Sequence, residues 1–156
     1  MTSKILEAFN LCKKEKRPAL LTYTVAGDDT KKRSLEIIKS IAQYADIIEL
    51  GFPHNTPVAD GGQIQESSHR ALQHGIKLRD IFSIIKDFKK SITAKPLILM
   101  GYFNLILQYG TLKFLKESKI FFLIDKISSL ILGSSLKTNT IIDNLNLLPL
   151  NLILII

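Results

Sequence analysis

ADIIELGFPHNTPVADGGQIQESSHRAL, residues 45–72, carries a strand, a loop and a helix in one run, and its reading decides the fold. In DIIELG, residues 46–51, Ile47, Ile48 and Leu50 make both faces of a strand apolar, the mark of a strand covered on two sides in a parallel sheet. Glu49 alone breaks the apolar run. FPHNTPVADGG is rich in proline and glycine and reads as a loop, after which a helix runs from about Ile64 to Gln73 and ends near Gly75.

Working outward, the same unit repeats. Upstream, ALLTYTV (19–25) is a buried-strand pattern that stops at the turn residues Ala26, Gly27, Asp28 and Asp29. Leu35, Ile38, Ile41 and Ala42 then place an apolar stripe on a helix from about Thr30 to Tyr44. Before the first strand, Ile5, Leu6, Phe9 and Leu11 mark an amphipathic opening helix from Ser3 to about Lys16. Downstream, Ile81, Ile84, Ile85 and Phe88 continue a helical stripe to about Lys90, and PLILMGY (96–102) is a third strand. Strand, helix and strand in alternation predict an α/β fold with a parallel sheet and right-handed crossovers.

After about Ser118 the character changes. Residues 120–156 hold 21 Ile, Leu or Phe among 37 and four charges, Asp125, Lys126, Lys137 and Asp143. IFFLI (120–124), SSLILG (128–133) and LNLILII (150–156 with its leading leucine) read as strands, although a dense Ile/Leu tract fits a buried helix equally. The apolar ending LNLLPLNLILII is far short of the roughly 20 residues of a membrane span, so no membrane association is expected.

The 156 residues suit one core, and 46% hydrophobic with 22% charged residues is a globular composition. The net charge of +7 is spread in short groups such as Lys13, Lys14 and Lys16, without aromatic interleaving. A nucleic-acid-binding reading rests on that charge alone, and no nucleic-acid partner is expected. The single cysteine, Cys12, and the lack of a secretory-type start point to the cytoplasm.

Glu49 lies near the C-terminal end of its strand, where parallel α/β proteins bind ligands and project catalytic groups. It reads equally as an exposed strand-end carboxylate. Asp60, eleven residues on in VADGG, reads first as a turn residue, yet two carboxylates in one pocket can divide acid and base roles. His54, His69 and His74 show no metal-ligand spacing and read as loop and helix-surface residues. No metal is expected, and no phosphate-cradling glycine fingerprint is present in the sequence.

Three segments taken in order, LLTYTVAGDDT, the 45–72 run and LILMGYFNLILQYG, resemble the tryptophan synthase alpha chain family over about residues 3–118. The specific part is ELG, a proline loop, ADG and an Ile-Gln pair, here Glu49, Leu50, Gly51, Pro53, Pro57, Ala59, Asp60, Gly61, Ile64 and Gln65. The resemblance implies a (β/α)8 TIM barrel of which residues 1–118 supply the N-terminal half only, an incomplete barrel, with 119–156 a divergent tail. It implies a lyase of tryptophan biosynthesis that cleaves indole-3-glycerol phosphate to indole and glyceraldehyde 3-phosphate, without cofactor. Glu49 would be the general acid/base and Asp60 the acceptor of the indole N–H, with Tyr102 and Asn104 beside the substrate. The implied partner is the tryptophan synthase beta subunit, which holds the pyridoxal phosphate and receives the indole.

Two departures bear on this. The loop reads PHNTP where the family commonly has PFSDP, so His54, Asn55 and Thr56 stand where the family has an aromatic, a serine and an acid. The family's fourth strand with its acidic loop is not recognisable after Ser118, and only NLNLLPLNLILII (144–156) is again similar, to the fifth strand. The last two barrel strands commonly build the phosphate site. A second reading therefore stands beside the first: a catalytically inactive truncated remnant with at most a beta-binding role.

Overall fold

The computed structural model of the chain describes residues 4–121 and 153–155. Its elements alternate as the periodicities predict: α1 (Lys4–Lys14), β1 (Leu21–Val25), α2 (Lys31–Ile41), β2 (Ile47–Gly51), α3 (Gly62–Gln73), α4 (Leu78–Lys89), β3 (Leu97–Gly101), α5 (Phe103–Tyr109), α6 (Thr111–Phe121) and β4 (Ile153–Ile155). The four strands are parallel, in the order β1-β2-β3-β4. They and their helices form part of a (β/α)8 barrel. The terminal segment compared above with a fifth strand lies fourth among the described strands, beside β3.

Local chemistry sets the helix starts. Thr30 caps α2, its hydroxyl accepting from Arg33 N–H at 3.1 Å. At the head of α4 the Asp80 carboxylate reaches back to Lys77 N–H at 3.0 Å. The helices α5 and α6 follow β3 closely and have no counterpart in the sequence reading, because the apolar residues Phe103, Leu105, Ile106 and Leu107 come so soon after the strand that no cap or turn pattern separates them. Ile120 and Phe121, which the sequence leaves open between strand and helix, end α6, where Phe114, Leu115 and Ser118 are buried at helical spacing. The rest of IFFLI and all of SSLILG lie outside the described residues.

Between sheet and helices lies one core. Ile48 and Leu50 of β2 and Leu97 and Leu99 of β3 pack with Ile38 of α2 and Ala42 just after it, Ile81, Ile84, Ile85 and Phe88 of α4, and Phe114 of α6. The alternate positions of the same strands, Glu49 and Gly51 on β2 and Ile98 and Met100 on β3, face the opposite way. That face is the interior of a barrel. On the opening helix only Cys12 is buried, while Leu6, Phe9 and Leu11 are exposed, as are Leu20 and Leu21 at the head of the edge strand β1.

The N-terminal ends of the strands are tied by one carboxylate. Asp46 accepts from Arg17 Nη1 and Nη2, both at 2.7 Å, and from Leu20 N–H at 2.8 Å, which joins the segment after α1 to the starts of β1 and β2. Its side chain is 10% exposed. The Arg17 bonds, with the Leu20 amide second, hold this carboxyl far below the ordinary carboxylate range. A depressed carboxylate stabilises the fold above its unfolded range and loses that contribution only as pH falls through the folded value. Asp46→Asn should accordingly unfold at lower urea concentration than wild type at pH 7. The gap should close in strong acid, where the wild-type carboxylate is also protonated; urea midpoints across pH check both.

Candidate active site

The C-terminal ends of β1, β2 and β3 lie level, and the register decides which side chains meet there. Tyr23 pairs with Glu49 and Glu49 with Ile98, so the three point to the same face. Two residues further, Val25 pairs with Gly51 and Gly51 with Met100. Gly51 leaves room that Tyr23 fills: a Cβ built there would stand 2.0 Å from the tyrosine hydroxyl. Gly101 does the same for the Phe52 ring, 2.2 Å from its ideal Cβ.

Glu49 is half-buried, and its carboxyl is raised above the ordinary glutamate value by burial. Its surroundings disfavour the charged form. Tyr23 is pushed well up, first by burial and then by the negative charges of Asp60 and Glu49. Tyr23 thus lies within electrostatic reach of both carboxylates.

Asp60 closes the loop after β2. Tyr102, following β3, donates its hydroxyl proton to Asp60 Oδ2 at 3.2 Å and accepts from Ala59 N–H at 3.0 Å. The Asp60 carbonyl accepts from the Gln65 amide of α3 at 2.8 Å, so the loop end is held from two sides. Beneath it, Asp28 at the end of β1 ties down α3 through Arg70, with two bonds of 2.8 Å, and Ser67 at 2.7 Å. The Arg70 bonds lower the Asp28 carboxyl.

Of the residues singled out from sequence, Asp60 and Tyr102 are in direct contact, and Glu49 faces the same barrel interior. Asn104 meets the loop at His54, its Nδ2 lying 2.9 Å from His54 Nε2. Two residues escaped the sequence reading. Tyr23 belongs to the strand pattern TYTV, but its place level with Glu49 comes only from the pairing of β1 with β2. His54, read as loop surface, stacks on Tyr102 with ring centroids 4.5 Å apart, and only the meeting of β2's loop with β3's end shows it. Among the described residues no group of three or more His, Cys, Asp or Glu is placed to hold a metal, and no helix is long and apolar enough to cross a membrane.

A parallel barrel sheet with one carboxylate on β2 and a second in the loop that follows it defines a (β/α)8 protein with its acidic side chains at the end of the strands where that fold usually binds ligands. The family model for the tryptophan synthase alpha chain matches residues 9–127, running past Ser118 into the Ile/Leu-rich segment. This chain belongs to the tryptophan synthase alpha chain family. It is 69% identical over 112 residues to the tryptophan synthase alpha chain of Pelagibacter ubique, a match covering 72% of this chain and 42% of that one. The crystal structure of the alpha subunit from Legionella pneumophila superposes with a TM-score of 0.72 at 32% identity, over 78% of this chain and 47% of that one. A tryptophan synthase complex from Pyrococcus furiosus gives a TM-score of 0.62 at 43% identity, over 66% and 42%. The chain spans about half the length of the relatives it matches.

The raised carboxyl of Glu49 has a consequence independent of any reaction. A carboxyl raised in the folded state favours folding below its unfolded value, and that contribution is lost as pH rises through the folded one. Above the unfolded glutamate range the half-buried Glu49 therefore costs stability, and at pH 7 Glu49→Gln should unfold at higher urea concentration than wild type. In acid, where both side chains are neutral, the two midpoints should coincide.

Proposed function

We propose that this chain acts as a carbon-carbon lyase on indole-3-glycerol phosphate, releasing indole and glyceraldehyde 3-phosphate. The observation that carries this reading is the pairing of a carboxyl raised by burial, Glu49, with a second carboxylate, Asp60, fixed by Tyr102 at the same end of the sheet. Family membership supplies the substrate.

In this reading Glu49 delivers a proton to C3 of the indole ring and takes one from the glycerol hydroxyl next to the bond that breaks. The C3–carbon bond opens, its electrons return to the ring, and the hydroxyl carbon leaves as the aldehyde. Asp60 accepts a hydrogen bond from the indole N–H and offsets the positive charge that C3 protonation creates there, the kind of preorganised electrostatics that supplies much of a catalytic effect. Tyr102 orients Asp60, and Asn104 borders the site through the loop.

The partner is a tryptophan synthase beta subunit, which takes up the indole, and the surface that meets it is the loop from Pro53 to Asp60. Neither nucleic acid nor membrane enters this reading. The protein works in the cytoplasm, in keeping with its single, buried, free thiol, Cys12.

The deciding experiment is indole release from indole-3-glycerol phosphate by the purified chain, with and without a beta subunit. Glu49→Gln should lower the rate by about 10²–10⁴-fold, the usual contribution of a general acid/base. Asp60→Asn should lower it by about 10²–10³-fold, as loss of one electrostatic group typically does. No turnover from folded protein under either condition overturns the lyase reading and leaves a family member with at most a beta-binding role.

A further inference from the structure

His54 is held at three points. Its Nδ1 accepts from Thr56 N–H at 3.0 Å, its Nε2 lies 2.9 Å from the side-chain amide of Asn104, and its ring stacks on Tyr102 at 4.5 Å and 25°. The first contact reaches two residues along the chain, the geometry by which an Asx side chain fixes a turn. The third passes to the opposite side of the loop, because the Tyr102 hydroxyl holds Ala59 N–H and Asp60 Oδ2.

The bonds also fix where the proton sits. A backbone N–H cannot do other than donate, so His54 Nδ1 carries no proton, and a neutral ring must carry it on Nε2. An Nε2–H facing an amide N–H would set donor against donor. Asn104 Oδ1 also accepts from Leu105 N–H at 3.0 Å; with the carboxamide turned so that its oxygen takes the Nε2–H, Leu105 N–H keeps the Tyr102 carbonyl, at 3.2 Å, as its acceptor.

We infer that His54 is a positioning residue: locked by Thr56 and Asn104, its ring sets the Tyr102 ring in the orientation that delivers the hydroxyl to Asp60 and the Ala59 amide. The imidazole here does more than fill the place of an aromatic ring. A phenyl ring can stack on Tyr102, but it can neither cap the turn at Thr56 nor bond to Asn104. The catalytic meaning of this arrangement rests on the lyase reading, whereas the arrangement itself is tested without turnover.

The test is amide hydrogen exchange by NMR on the full chain at Thr56 and Ala59, with the sheet amides of Ile48 and Phe52 as internal references, since these donate to Pro96 and Met100. His54→Asn keeps a turn-capping acceptor and removes the ring. It should leave Thr56 within about twofold of wild type and speed exchange at Ala59 by about fivefold or more, the worth of one net hydrogen bond. His54→Phe keeps the ring and removes the cap, and should speed Thr56 by a similar factor with a smaller change at Ala59. Tyr102→Phe should free Ala59 and spare Thr56. Unchanged Ala59 exchange in His54→Asn, or equal loosening of both amides in both His54 variants, overturns the inference. Should the reference amides of the variants lose protection, the wild-type imidazole ¹⁵N spectrum at alkaline pH decides: an unprotonated Nδ1 with a protonated Nε2 is required, and the reverse tautomer overturns it.

Discussion

The alternation of side chains along β2 is the constraint on which the rest of the molecule depends. Ile48 and Leu50 are fully buried against α2 and α4, and a strand has a period of two, so Glu49 between them has no choice but to face the barrel interior. A slip of one residue would bury the carboxylate among Ile38, Ile85 and Phe88 and turn two aliphatic side chains away from the helices. The register is thus enforced by the helix-facing core, and the placement of the acid follows from it. The same register brings Tyr23 of β1 level with Glu49, and the missing side chain of Gly51 gives its hydroxyl a place.

Stability and chemistry are separated along the strands. At their N-terminal ends Asp46 is saturated with donors and held ionised, so its charge supports the fold. At the C-terminal ends Glu49 has burial as the cause of its shift, and its charge is disfavoured. Two acids three residues apart in sequence are driven in opposite directions by their surroundings, one by donors and the other by burial.

The loop between β2 and α3 shows the same economy of parts. Gln65 from the first turn of α3, Tyr102 from the end of β3 and the cap at Thr56 fix a segment that has little regular structure of its own. Membership of the tryptophan synthase alpha chain family, at 69% identity to the Pelagibacter ubique chain, accounts for the spacing of Glu49, Asp60, Ile64 and Gln65. The imidazole at position 54 is joined to Asn104 and Tyr102 by direct contacts.

Periodicity and turn chemistry alone determined the first three strands, the helices between them, the parallel class of the sheet and the exceptional position of Glu49, because these follow from the 3.6 and 2.0 residue repeats. The same rules left α5 and α6 unread, since short apolar stretches close behind a strand fit strand and helix equally. Asp60 by itself read as a turn residue, and His54 as loop surface. Tyr23 beside Glu49, Tyr102 on Asp60 and His54 on Tyr102 were settled only by the tertiary structure. Each pair joins separate elements, and contact between residues 26 to 48 positions apart depends on how the sheet brings strand ends together, which no local repeat encodes.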